Sequence, residues 1–209
     1  MFEKAISHFK KADPLLYELA ESIDPLVLNP KIQDHFLRLV RAIVGQQLSV
    51  KAAHTIFTRF EELFSKKQIT PEKILKLNKE KIRTCGISYS KIEYIKDLSR
   101  KVIEKKLVLE TIHKEDDETV IKNLTQVKGL GPWSAEMFLM FSLGRADIFS
   151  AGDMGLQNAM IKLYGLKKPS REKLIKISNK WSPYRTYACM ILWESLDNEP
   201  KIKELSIKK

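Results

Sequence analysis

Val127 to Met140 reads VKGLGPWSAEMFLM, two glycines and a proline leading into one of the most apolar runs of the chain. Glycine permits backbone angles closed to other residues and lets main-chain N–H groups come close to a ligand. Gly129 and Gly131 are both expected to serve a tight turn in this way, and Pro132 to set the first turn of the next helix. The chemistry such a helix, hairpin and helix offers is anion binding, because unpaired N–H groups at a helix N-terminus face outward where a phosphate can accept them. Gly-x-Gly by itself reads equally well as an ordinary helix C-cap with a short loop. Ala135, Phe138, Leu139, Met140 and Phe141 leave the following helix few polar faces, so it is expected to be buried and to anchor the hairpin from the core.

Charge points to the same class of ligand. The 209 residues include 37 Lys and Arg against 26 Asp and Glu, a formal charge of +11, which makes a polyanion the expected partner. Two cysteines, Cys85 and Cys189, are too few for a disulfide framework and too far apart for a metal knuckle. A reducing interior is expected. His8, His35, His54 and His113 show no zinc spacing. The N-terminus lacks an apolar core of signal-peptide length and no run approaches a membrane span, so no membrane partner is expected.

The elements that must position the hairpin follow from periodicity. Phe36, Leu39, Val40, Ile43 and Val44 keep helical spacing, as do Val50, Ala53, Phe57, Phe60 and Phe64 after a Ser49 cap. Thr70 with Pro71 starts a short helix, Asn78 caps another that stops at Gly86, and Ser90 with Glu93 has capping-box spacing before Ile92, Ile95, Leu98 and Val102. The acids from Glu115 to Glu118 suit the start of a helix carrying Val120, Ile121 and Leu124. Beyond the hairpin, helices are predicted over Pro132–Leu143, over Asp153–Tyr164, from Ser170, and from Ser182 and Pro183 through Leu196. No segment alternates as a strand does, so the chain is predicted to be all-α.

The thirty residues LTQVKGLGPWSAEMFLMFSLGRADIFSAGD, Leu124 to Asp153, resemble the helix-hairpin-helix, Gly/Pro-rich loop and aspartate signature of the helix-hairpin-helix DNA glycosylase superfamily. AIVGQQLS, Ala42 to Ser49, and WSPYRTYA, Trp181 to Ala188, are similar to elements of its alkylation-repair branch, the 3-methyladenine DNA glycosylases. The resemblance runs from about Asp34 to Leu196 and is to the compact members without an N-terminal β-rich domain. It implies two helical lobes flanking a cleft, one spanning about 32–143 with the hairpin at 128–131, the other joining 1–31 to 144–209.

The resemblance also implies residue roles. Cutting an N-glycosidic bond builds oxocarbenium-like charge on the sugar, which a carboxylate can stabilise while it activates water. Asp153 occupies the family's catalytic position, although Ser150 and Asp153 also have capping-box spacing and a purely capping role stays open. Asp147 reads as structural. Trp133 and Trp193 match positions that line the base pocket, with Met137 beside them; core packing is the alternative for either tryptophan. Met137 and Glu194 depart from the aromatic residues of the best-known bacterial pattern. Bifunctional members carry a lysine nucleophile where this chain has Trp133, so a monofunctional hydrolase is expected.

Tyr89, in the turn CGISYSK, matches the loop that plugs the gap left by a flipped base, with an exposed turn tyrosine as the alternative. Gln46 and Gln47 either fill or read that gap or simply end a helix. Lys128, Gly129, Leu130, Gly131 and Arg185 complete the expected DNA contacts. The carbonyls of Thr125, Val127 and Leu130 match positions that hold a monovalent cation, Na+ or K+. No other cofactor is expected, and the two cysteines cannot supply the four ligands of the iron-sulfur cluster found in another branch.

The function implied is excision of alkylated purines from double-stranded DNA, 3-methyladenine first and 7-methylguanine and related bases with it. A monomer is expected, in the cytoplasm at the nucleoid of a prokaryote or in the nucleus of a eukaryote. The alternatives are a glycosylase for mismatched or oxidised bases and a non-catalytic DNA-binding module.

Overall fold

The computed structural model describes residues 1–25 and 34–197. Among these every regular element is a helix, and the fold is all-α. In chain order they are α1 (Phe2–Ala12), α2 (Pro14–Glu21), α3 (His35–Gly45), α4 (Val50–Glu61), α5 (Pro71–Lys76), α6 (Lys79–Thr84), α7 (Tyr89–Ile103), α8 (Asp117–Thr125), α9 (Pro132–Phe141), α10 (Met154–Tyr164), α11 (Arg171–Ser178) and α12 (Arg185–Asp197). None of these helices is long and apolar enough to cross a membrane. Contacts divide the chain into two compact units, Met1–Pro30 with Gly144–Lys209, and Lys31–Leu143. The lobe boundary expected at residues 31–32 lies outside the described residues.

In the unit of α3 to α9, small polar residues open nearly every helix. The side chains of Asp34, Ser49, Thr70, Asn78 and Asp116 accept from N–H groups of the first turn, at 2.8 to 3.4 Å, satisfying donors that a helix start leaves unpaired. At α7 the cap is Ser88, whose Oγ accepts from Lys91 N–H at 3.4 Å, and not Ser90, whose hydroxyl pairs with that of Ser88. The helix thus begins at Tyr89, earlier than the capping-box reading predicts. The α7 core residues Ile92, Ile95 and Leu98 are fully buried, as are Ile74 of α5 and Ile82 of α6, which pack on it. On α9, Ala135, Phe138, Leu139 and Met140 are buried as expected, but the helix ends at Phe141, two residues short of the predicted Leu143.

The other unit packs α1, α2, α10, α11 and α12. Helical spacing did not single out α1 and α2, yet the pair Asp13–Pro14 is a cap followed by a first-turn proline. Asp13 is 3% exposed. Its Oδ1 accepts from Leu16 N–H at 3.4 Å, and its Oδ2 accepts from the Tyr164 hydroxyl at 2.8 Å and from Trp181 Nε1 at 3.0 Å. One carboxylate therefore joins α2, the end of α10 and the 3-10 turn Asn179–Trp181. Burial, then the charge of Asp13, pushes the Tyr164 phenol far above its ordinary value, so it serves as a permanent donor. Two predicted helix starts move. Asp153 itself caps α10, which begins at Met154, and α12 begins at Arg185, after Ser182 and Pro183.

Asp13→Ala removes an acceptor from two buried donors, which costs about 2–4 kcal/mol. Urea unfolding monitored by circular dichroism is expected to show that loss. A change below about 0.5 kcal/mol, the scale of a neutral surface substitution, contradicts the role assigned to Asp13.

Candidate active site

Asp153 is partly exposed and holds an extended backbone conformation, φ −74° and ψ 118°, at the start of α10. Its Oδ1 accepts from Leu156 N–H at 2.8 Å and from Trp193 Nε1 of α12 at 3.1 Å. Two donors on one oxygen fix the carboxylate's orientation. The neighbour Gly155 lies so close that a Cβ there would stand 3.1 Å from Oδ1 and 3.4 Å from Trp193 Cδ1. Met154, beside it, is 67% exposed. Asp153 is thus the cap of α10, and Trp193 is joined to the carboxylate through its indole N–H.

The loop that delivers Asp153 is pinned to the first turns of α12. Asp147 takes a bidentate pair from Arg185, Nε to Oδ1 at 2.8 Å and Nη2 to Oδ2 at 3.0 Å, with the Ser182 hydroxyl on Oδ2 at 2.8 Å. Burial pushes the Asp147 carboxyl up, but the hydrogen bonds from Arg185 and Ser182 and the Arg185 charge outweigh it and hold it below the usual carboxylate range. Thr186 donates its N–H to the Ala146 carbonyl at 2.9 Å and its hydroxyl to the Arg145 carbonyl at 2.7 Å, and it accepts from Ile148 N–H at 3.0 Å. Gln157 of α10 reaches back to the Ala151 carbonyl at 2.9 Å. Arg185, expected among the DNA contacts, is therefore engaged by Asp147. Thr186 and Gln157 escaped sequence reasoning because their partners are loop carbonyls, which no residue pattern marks.

In the other unit the hairpin turns tightly after α8. Val127 N–H donates to the Leu124 carbonyl at 3.0 Å and Leu130 N–H to the Val127 carbonyl at 3.1 Å. Leu130 is buried, whereas Lys128 and Gly129 are exposed. Gly129 has φ +81°, and a Cβ on it would lie 2.1 Å from Tyr94 Cδ2, so both the left-handed backbone and the contact exclude a side chain. Gly131 differs from expectation. Its φ of −98° and ψ of 179° suit any residue, and a Cβ there would meet nothing within 4 Å. What Gly131 offers is open approach to its N–H. Among the described residues neither Gly129 nor Gly131 N–H has an internal acceptor.

The remaining expected residues of this unit fall into two groups. Trp133 is 49% exposed in the first turn of α9, which sets aside the core-packing alternative for it. Met137, one turn later, lines a cavity of about 340 Å³ with Ser134, Phe138 and Phe141 of α9 and Ala42 of α3. Tyr89, first residue of α7, is 53% exposed, and its hydroxyl donates to Glu80 at 2.9 Å. Gln47 is exposed with φ +58°. Gln46 is committed, its Nε2 donating to the Gly129 carbonyl at 2.7 Å. Among the described residues no cluster of His, Cys, Asp and Glu could hold a metal ion.

Replacing each hairpin glycine by alanine separates their roles. Gly129→Ala is expected to lower the unfolding free energy by about 1–3 kcal/mol through strain and overlap, and Gly131→Ala by less than about 0.5 kcal/mol. Guanidinium unfolding measures both. Equal losses contradict the geometry.

Known proteins share the sequence and the fold of this chain. The family described as HhH-GPD superfamily base excision DNA repair protein matches residues 40–183. DNA-3-methyladenine glycosylase 1 of Schizosaccharomyces pombe is 36% identical over 166 residues, which cover 78% of this chain and 73% of that protein. The crystal structure of DNA-3-methyladenine glycosidase from Bacillus halodurans superposes with a TM-score of 0.84 at 37% identity, covering 96% of this chain and 94% of that one. The Schizosaccharomyces pombe 3-methyladenine DNA glycosylase Mag1, solved in complex with abasic DNA, gives a TM-score of 0.82 at 33% identity, covering 93% and 97%. With a family match over residues 40–183 and a relative 36% identical over 78% of the chain and 73% of its own length, this chain belongs to the HhH-GPD superfamily of base excision DNA repair proteins.

Proposed function

We propose that this chain is a monofunctional DNA glycosylase that extrudes alkylated purines, 3-methyladenine first among them, from double-stranded DNA and hydrolyses their N-glycosidic bond. The observation that carries the reading is the Asp153 carboxylate, held by Leu156 N–H and Trp193 Nε1 at the position where the family has its aspartate. A base inside a duplex cannot be reached, so the nucleotide must first leave the stack. As the bond from C1′ to the base breaks, its electron pair leaves with the base and positive charge grows on the deoxyribose. Asp153 stabilises that charge and orients a water, whose oxygen bonds to C1′ while the carboxylate takes up its proton. A 3-methylated adenine is cationic before cleavage and departs neutral, so no acid is required to protonate it.

Each of the other residues that the resemblance names has a matching task. An indole face attracts a cationic base more than a neutral one, the task that the resemblance gives to Trp133 and to Trp193, and the slender Met137 lines a recess with Ser134 and Phe138 of α9. No amine stands at position 133, so Schiff-base chemistry has no nucleophile there and the product is an intact abasic strand. The N–H groups of Gly129 and Gly131, with Lys128, grip a phosphate. Tyr89 and Gln47 are the exposed side chains available to fill the emptied stack. Lys91 ties the start of α7 to the end of α3, through the Val44 and Gln46 carbonyls, and so holds those two side chains on linked elements.

The proposed monovalent cation fits the hairpin. Among the described residues the carbonyls of Thr125 and Leu130 accept no hydrogen bond and that of Val127 accepts one, which leaves oxygen lone pairs of the kind Na+ or K+ binds. Such an ion would add positive charge beside the phosphate.

Incubation with a methylated duplex, chromatography of the released bases and electrophoresis of the strand test this reading together. Free 3-methyladenine is expected, with a strand that stays whole until alkali cleaves the abasic site. Release of only mismatched or oxidised bases, strand nicking without alkali, or no release at all contradicts it.

A further inference from the structure

We propose that Asp97, on α7, is a positioning residue for DNA binding, holding the hairpin in the one arrangement that leaves the Gly129 N–H outward and unpaired. The inference rests on the reading of the hairpin as a phosphate grip. Its starting point is an anomaly of charge: a carboxylate 5% exposed lies directly behind a loop meant to attract an anion. A lone negative charge there repels a phosphate. Its Oδ2 accepts from Lys128 N–H at 3.0 Å, and Arg100 and Lys101, at 3.3 and 3.4 Å, offset its charge.

Tracing the peptide groups shows what that hydrogen bond does. The Val127–Lys128 peptide is bonded at both ends, its carbonyl by Leu130 N–H and its N–H by Asp97. The Gly129–Leu130 peptide is also bonded at both ends, its carbonyl by Gln46 Nε2 and its N–H by the Val127 carbonyl. Between them the Lys128–Gly129 peptide, which carries the Gly129 N–H, has neither end bonded among the described residues. Two fixed planes thus aim a third. Without Asp97 the first plane is secured at one end only and Gly129 retains a glycine's freedom to turn. Lys91, which holds the backbone that presents Gln46, Tyr94, packed against Gly129, and Asp97 follow one another at three-residue intervals along the same helix. One face of α7 therefore braces the hairpin from behind.

Two substitutions separate this role from electrostatics. Asparagine keeps an oxygen able to accept from Lys128 N–H, whereas alanine does not. Affinity for an abasic duplex is expected to fall about tenfold or more for Asp97→Ala, the effect of losing a buried hydrogen bond that orders a binding loop. For Asp97→Asn it should stay within about threefold of wild type. The single-turnover rate of base release at saturating enzyme should be unchanged in both, because the chemistry is assigned to Asp153. Tighter binding by Asp97→Ala, or equal affinities for the two variants, overturns the proposal.

Amide exchange in the wild-type protein gives a check that needs no variant to fold. Lys128 N–H should be protected in the free protein, while Gly129 and Gly131 exchange fast until DNA is added. A fast-exchanging Lys128 overturns the Asp97 role. Glycine amides that stay unprotected on DNA instead overturn the hairpin reading on which it rests.

Discussion

The role we propose for Asp153, stabilising a transient cation, requires a carboxylate whose position is settled beforehand, and two N–H groups on one oxygen settle it. Leu156 N–H and Trp193 Nε1 both end on Asp153 Oδ1. The first bond makes Asp153 the cap of α10, so the position that helix formation demands is also the one the proposed chemistry uses. The second recruits α12, and α12 in turn holds the preceding loop through Asp147 with Arg185 and through the Thr186 hydroxyl. Preorganisation of this kind stabilises a transition state because little remains to be ordered when charge develops.

The phosphate grip we propose for the hairpin poses a related problem, met with main chain alone. A phosphate grip requires exposed N–H groups, yet an unbonded turn would wander. Buried anchors at Val127 and Leu130, a glycine pressed against Tyr94 and bonded peptides on either side restrict that motion and leave the outward amides unpaired. In that proposed grip Lys128 and the surrounding positive charge would add an attraction that depends on salt rather than on sequence.

Much of this is written in local patterns. Helix caps at Ser49, Thr70, Asn78 and Ser170, the Gly129 turn and the apolar face of α9 each follow from a few neighbouring residues, and so does the all-α class. The capping-box reading makes Ser150 the cap and Asp153 a first-turn residue, whereas in the structure Asp153 is itself the cap of α10. What local pattern does not carry is the partner at long range. Arg185 looks like a DNA contact until Asp147, 38 positions away, occupies its guanidinium. Gln46 looks like a reader of bases until Gly129 claims its amide. Gly131 looks conformationally obliged, but its dihedral angles are ordinary. Asp13 can be read as a cap before Pro14, but its burial, like that of Asp97, gives no local signal, because a buried acid is recognised only by the donors that fold around it.

Ionisation of the side chain at position 153 is the account's central claim, and a substitution that keeps its shape while removing its charge tests it most directly. Asp153→Asn retains an oxygen for Leu156 N–H and for Trp193. Single-turnover release of 3-methyladenine by this variant, measured beside its affinity for an abasic duplex, should fall by at least about a hundredfold with affinity close to wild type. Release at the wild-type rate would contradict the account.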